Sequence, residues 1–198
     1  MTHYAFRVVN VFAESPLAGN PLCVFEDARG LDTATMQALA LQFNLSETTF
    51  VLPSTIATAQ VRIFTPSFEM AFAGHPTLGS AHVVRAIAGA GDAVTLEMKA
   101  GVIPVTAHGD VWTLVANAPR DRVPSASTAD LAAMLNLAPA DMAGPPLWVD
   151  TGSEQLIIPL SSTDAVRRAN PSAAALAATA HNGQRAMAYV FAREGNTV

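Results

Sequence analysis

The segment Arg62-Ile-Phe-Thr-Pro-Ser-Phe-Glu-Met-Ala-Phe-Ala-Gly-His-Pro-Thr-Leu-Gly-Ser-Ala81 constrains the fold more than any other stretch. Val61 and Ile63 alternate with Arg62 and Phe64, the period of a strand. A helix is expected to begin near Pro76, because proline suits the first helical turn, and Gly89 and Gly91 end it. A helix start leaves backbone N–H groups without partners and carries about half a positive charge. Gly74 lets a ligand approach the backbone, so the junction suits a carboxylate or a developing enolate oxygen. His75 adds the side chain best placed to exchange protons near neutral pH. Gly79 and Ser80 add a small-residue face that permits close packing. The same residues also fit a structural helix whose His75 only hydrogen-bonds a carbonyl.

Around this junction the pattern is strand-rich. Tyr4, Phe6 and Val8 alternate with Ala5, Arg7 and Val9, and Ser15–Pro21 reads as a turn. Leu22–Phe25 is a short strand. A helix follows with Asp32 as N-cap, Met36, Leu39, Ala40 and Phe43 on one face, and Asn44 as a left-handed stop. Strands are expected at Thr48–Leu52, at Val94/Leu96/Met98, at Val102/Val105 and at Val111–Val115. Short connections favour antiparallel or mixed pairing over a doubly wound parallel sheet.

The pattern breaks at Pro119-Arg-Asp-Arg-Val-Pro124, which places a domain boundary between residues 1–118 and 119–198. The second region is expected to hold a helix at Asp130–Leu135, strands at Leu147–Val149 and Gln155–Leu160, a helix at Ser172–Ala180 and a strand over Arg185–Ala192. Ala38-Leu-Ala and Ala175-Leu-Ala form a loose repeat, each in a helix that stops at an asparagine, Asn44 or Asn182. If that repeat holds, the second domain is expected to be incomplete, since the chain runs from Ala192 to Val198 without a closing element.

Composition removes several function classes. Only 14% of residues are charged, against about 25% in average soluble domains, and the net charge is −5. Arg167-Arg168 is the only adjacent basic pair, which argues against nucleic acid and anionic membranes. Cys23 is the only cysteine, so no intrachain disulfide and no cysteine zinc site can form. His3, His82, His108 and His181 show no metal spacing, and no metal is expected. No secretion signal or membrane span is legible, so a cytoplasmic protein is the default. Neither a nucleophile elbow nor a nucleotide-binding glycine motif occurs.

Glu47, between a helix end and a strand, is the second chemical candidate. Partial burial would raise its pKa and suit it to general-base work; an ordinary loop glutamate fits the sequence better, since exposed carboxylates are the rule. Gly19-Asn20-Pro21 reads as a tight turn, Glu69 as a turn residue, and Asp150-Thr-Gly-Ser-Glu154 as a β-turn with free amides.

Taken in order, Val9-Asn-Val-Phe12, Gly19-Asn-Pro21, Asn44-Leu-Ser-Glu-Thr-Thr-Phe50, Arg62-Ile-Phe-Thr-Pro66, Phe72-Ala-Gly-His-Pro-Thr-Leu-Gly-Ser80 and Thr151-Gly-Ser-Glu-Gln-Leu156 resemble the PhzF-like proteins of phenazine biosynthesis. The resemblance implies an α+β, diaminopimelate-epimerase-like fold. It has two pseudo-symmetric domains, each a curled sheet around a central helix, with a site in the cleft between them. It implies a homodimer without cofactor, acting on a small cyclic or amino carboxylic acid. Glu47 would be the proton shuttle and His75 its catalytic companion, with Gly74, Asn20, Ser46, Gly79 and Ser80 binding substrate. Isomerase members move a proton across a dihydro-hydroxyanthranilate ring. The two-cysteine epimerases of this fold carry a thiol where this chain has Ala73, so a two-thiol mechanism is not expected. The family's second acidic-Gly-Ser motif is absent from this chain. Two further readings stay open: a truncated or degenerate binding protein, and a cofactor-independent epimerase using Glu47.

Overall fold

The computed structural model describes residues 3–195. The expectation about the chain's end at Val198 lies outside them. The chain divides into two compact units, residues 1–117 and residues 118–198.

The first unit is an eight-stranded sheet with two helices. Its elements are β1 (Phe6–Val11), β2 (Asn20–Phe25), α1 (Thr33–Phe43), β3 (Glu47–Leu52), β4 (Ala59–Phe64), β5 (Glu69–Met70), α2 (Gly74–Ala88), β6 (Ala93–Met98), β7 (Gly101–His108) and β8 (Val111–Leu114). The sheet order is β1-β2-β3-β4-β6-β7-β8, with β5 on β4. All neighbours are antiparallel except β2–β3 and β4–β6. Parallel neighbours require a crossover. Helix α1 makes it for the first pair and α2 for the second.

Helix α1 forms where its sequence expects it. The Asp32 side chain accepts from the Thr35 N–H at 2.7 Å, and Asn44 closes the helix at φ 51°. Met36 and Ala40 pack with Cys23, Phe25, Phe50 and Phe64 on one face of the sheet. Helix α2 lies on the other face and touches β1, β2, β3, β4, β6 and β8, so the sheet curls around it. Val83 and Val84 of α2 meet Val61, Ile63, Leu96 and Val105 there. Each such buried aliphatic contributes about 1.5–3 kcal/mol.

Glycine sets how deep α2 sits. A Cβ at Gly79 would fall 2.6 Å from Leu22 Cδ2 and 2.9 Å from Val11 Cγ2. Only hydrogen fits there, so α2 rests directly on the β1–β2 pair.

The second unit holds a four-stranded sheet of order β12-β11-β10-β9. Its elements are β9 (Arg120–Arg122), α3 (Thr128–Met134), a short 3-10 turn (Pro139–Asp141), β10 (Leu147–Asp150), β11 (Glu154–Pro159), α4 (Thr163–Arg168), α5 (Ala173–Thr179) and β12 (Tyr189–Phe191). Ser127 and Asp130 cap α3 reciprocally. Leu131, Leu135, Trp148, Leu156 and Ile158 form the core of this unit.

Several sequence expectations are corrected. Helix α2 begins at Gly74 rather than Pro76, which is instead its third residue, still inside the turn where N–H groups lack partners. In β7 the inward residues are Ile103, Val105 and Ala107, and Val102 points outward, because the pleat follows parity rather than hydrophobicity alone. Asn182 does not stop α5, whose cap is Ala180. The strand expected over Arg185–Ala192 is confined to Tyr189–Phe191. Residues 120–122, read as a break, pair with β10, and Arg122 anchors them through a two-pronged ion pair to Glu154. Glu69, read as a turn residue, stands in β5 and binds Arg62 at 2.7 Å and Lys99 at 2.6 Å.

Candidate active site

Three segments far apart in sequence meet at the start of α2. Strand β3 pairs in parallel with β2, placing Leu22 opposite Glu47. Along β3 the side chains alternate. Thr49 bonds to Ser80 and Val51 joins the cluster around α2, so Glu47, sharing their parity, is on the α2 side. Thr48 and Phe50 turn the other way, and Phe50 packs on the α1 side.

Glu47 reaches His75. The imidazole Nδ1 lies 2.8 Å from Glu47 Oε2, and both side chains are largely buried, at 9% and 17% exposure. The other ring nitrogen, Nε2, lies 3.1 Å from the main-chain carbonyl of Asn20. The Asn20 carboxamide joins them: its Nδ2 is 3.4 Å from His75 Nδ1, and the Ser46 hydroxyl donates to its Oδ1 at 2.9 Å. Glu47, His75, Asn20 and Ser46 therefore form one hydrogen-bonded group.

Burial alone would have raised the Glu47 carboxyl. The hydrogen bond from His75 outweighs it and holds Glu47 below its ordinary value, helped by Ser46 and by the His75 charge. The expectation of a carboxyl raised by burial is thus corrected. Glu47 is poised as a carboxylate, the form that accepts a proton.

The start of α2 is bare. Its N-cap, Ala73, makes no side-chain capping bond. A Cβ placed at Gly74 would meet nothing within 4 Å among the described residues. Gly74 has neither a positive φ nor a close neighbour, so the fold does not require glycine there. The uncapped helix start and the open space at Gly74 suit an anionic group.

Two expected site residues serve packing instead. Ser80 is wholly buried and donates to Thr49 Oγ1 at 2.9 Å, facing the sheet rather than a ligand. Gly79 makes the close approach to Leu22 and Val11. Gly79 also borders a cavity of about 760 Å³ lined by β1, the following loop, α2 and β8, which touches neither Glu47 nor His75.

Phe12, at the end of the first apolar strand, stands beside His75. Its ring centroid is 6.4 Å from that of His75, and its backbone is left-handed at φ 57°. Such a conformation costs a bulky residue ~1–3 kcal/mol and is held by its surroundings. Nothing in the periodicity announces it; only its place after the apolar strand does. Cys23 is buried, on the α1 face, away from Glu47 and His75. In the second unit, Asp150 Oδ1 accepts from Gly152 N–H at 2.7 Å, a local turn, and Arg185 donates to the Ser153 hydroxyl. Among the described residues no three His, Cys, Asp or Glu side chains gather as a metal site, and no helix is long and apolar enough to cross a membrane.

A family model described as phenazine biosynthesis-like protein, PhzC-PhzF, matches residues 9–197. The chain belongs to this family. Among PhzC-PhzF relatives, an uncharacterized isomerase of Pasteurella multocida is 38% identical over 180 residues, covering 84% of this chain and 58% of the relative. A trans-2,3-dihydro-3-hydroxyanthranilate isomerase of Pseudomonas chlororaphis is 52% identical over 82 residues, 41% of this chain and 29% of that protein. The solved structure of a predicted epimerase from Pseudomonas aeruginosa matches at 29% identity and a TM-score of 0.76, covering 96% of this chain and 70% of that one. The chain thus spans 58% of the length of the P. multocida relative. The PhzC-PhzF fold, α+β and diaminopimelate-epimerase-like, is the fold of this chain.

Proposed function

We propose that this chain carries the acid–base centre of a PhzF-type isomerase. The observation that carries the reading is the 2.8 Å contact between Glu47 Oε2 and His75 Nδ1 beside the uncapped start of α2. Glu47 takes a proton from one carbon of a small cyclic or amino carboxylic acid. It returns the proton to another carbon, so an enol system becomes a ketone and the carboxylate is regenerated. The N–H groups at Gly74 and His75 hold the substrate carboxylate or the oxygen where charge develops. Phe12 stands beside His75, where its ring can meet a bound substrate. Asn20 and Ser46 hold the pair in place.

The reading carries with it a cytoplasmic homodimer that works without cofactor or metal and binds neither nucleic acid nor membrane. Exclusively monomeric sedimentation at micromolar concentration would count against the dimer.

The test is turnover of trans-2,3-dihydro-3-hydroxyanthranilate and related acids in deuterated water. Deuterium in the product that disappears with Glu47→Gln, while the fold persists by circular dichroism, supports the role. Full turnover by that variant sinks it. Deuterium confined to a stereocentre with no bond shift assigns an epimerase instead, and saturable binding without turnover assigns a carboxylate-binding protein.

A further inference from the structure

Asn20 addresses both nitrogens of His75, and the two contacts are chemically different. A carbonyl oxygen only accepts hydrogen bonds. The 3.1 Å contact between the Asn20 carbonyl and Nε2 is therefore a hydrogen bond only when Nε2 carries a hydrogen. At Nδ1, 2.8 Å from Glu47 Oε2, one proton must lie between nitrogen and oxygen, since two bare lone pairs at that distance repel. That leaves two arrangements. Either Glu47 is a carboxylate facing an imidazolium, or Glu47 is protonated and donates to a neutral ring. Both carry the same net charge and both keep Nε2–H.

We propose that Asn20 is a positioning residue whose main-chain carbonyl locks His75 in the Nε2–H form, so that Glu47 and His75 hold a single shared proton. His75 is then the proton reserve of Glu47 and not an independent base. When Glu47 takes a second proton from a substrate carbon on Oε1, the shared proton sits on Nδ1, and when Oε1 returns its proton to another carbon, Nδ1–H stays bonded to the carboxylate left behind. Neither transfer moves the proton on Nε2. The inference rests on the acid–base reading for its use, though not for its test.

The carbonyl is held by the chain around it. Gly19 turns at φ 81°, and a Cβ there would lie 2.4 Å from the Val11 carbonyl, so the turn admits only glycine. Asn20 pairs with Val11 in the ladder, and Pro21 follows with its restricted φ. The Ser46 hydroxyl donates to Asn20 Oδ1 at 2.9 Å, which turns the Nδ2 donor toward Nδ1. In that orientation the amide supports Nδ1 only when Nδ1 has no hydrogen of its own, the arrangement with Glu47 protonated.

The experiment is long-range proton–nitrogen NMR of the full chain labelled with ¹⁵N-histidine, without substrate, so it succeeds or fails separately from the turnover assay. The expected result is a slowly exchanging Nε2–H at His75, present in the unmodified chain and retained in Glu47→Gln. A neutral Nδ1–H form in either protein overturns the proposal, because the carbonyl would not be setting the tautomer. Asn20→Ala keeps the main-chain carbonyl and is expected to keep the protected Nε2–H. Its loss there would move the role to the carboxamide and refute the main-chain lock.

Discussion

Glu47 Oε2 and His75 Nδ1 stand 2.8 Å apart although 28 positions separate the two residues. The contact holds the Glu47 carboxyl below its ordinary value. A carboxyl depressed by folding stabilises the folded chain above its unfolded pKa of about 4.3, and that stability is lost as pH falls through the lower, folded value. Glu47→Gln removes the titrating group. The melting temperature of the variant is therefore expected to depend less steeply on pH in the acid range than that of the parent. Parallel melting curves across the acid range would show that the contact contributes nothing to folding.

Gly74 and Gly79 share one helix and should respond oppositely to alanine. At Gly74 the added methyl meets nothing within 4 Å. Stability should be unchanged or slightly raised, since alanine is the better helix former by ~1 kcal/mol. Binding of small carboxylates should weaken, because the methyl enters the space before the bare helix start. At Gly79 the methyl must displace Leu22 and Val11. Overpacking of about 1–3 kcal/mol exceeds the helix gain, leaving a net loss on the order of 1 kcal/mol. Urea midpoints of the two variants check both signs.

Gly19→Ala combines a positive φ with a clash against the Val11 carbonyl. Backbone cannot yield as a side-chain tip does. A loss of about 1–3 kcal/mol is expected, together with loss of the protected His75 resonance. A variant as stable as the parent would show that the turn relaxes at no cost.

Burial pushes the Cys23 thiol up to about 12. The thiolate is the reactive form, so Cys23 should resist iodoacetamide in the native chain and react once denaturant opens the core. Fast alkylation without denaturant would contradict the packing of Cys23 between the sheet and α1.

Local signals carried α1 and the end of α2, but not α4. Asp32, Asn44 and Gly89 cap the structure as their side-chain chemistry and conformational preferences demand. The strands were legible wherever parity and hydrophobicity agreed, as in Val94/Leu96/Met98. They misled in β7, where apolar residues occupy both faces and only membership of the buried cluster on the α2 side decides which turn inward. Strand β9 was hidden because its three residues, Arg-Asp-Arg, are all exposed and owe their place to pairing with β10 and to Arg122–Glu154. At the site, Glu47, Gly74 and His75 could be named from sequence, but the direction of the Glu47 shift could not. It depends on a partner distant in sequence. Ser80 was misjudged because a small polar residue near a helix start reads the same whether it meets ligand or sheet.

The parallel pairing of β2 with β3 has a consequence for how the chain becomes competent. Antiparallel hairpins can set their register locally, whereas β2 and β3 must wait for α1 to carry the chain back across the sheet. A slip of one residue in that pairing would send Glu47 to the α1 face and bring Thr48 to His75. The Glu47–His75 contact therefore cannot appear early in folding. It comes into being only when the non-local pairing is complete.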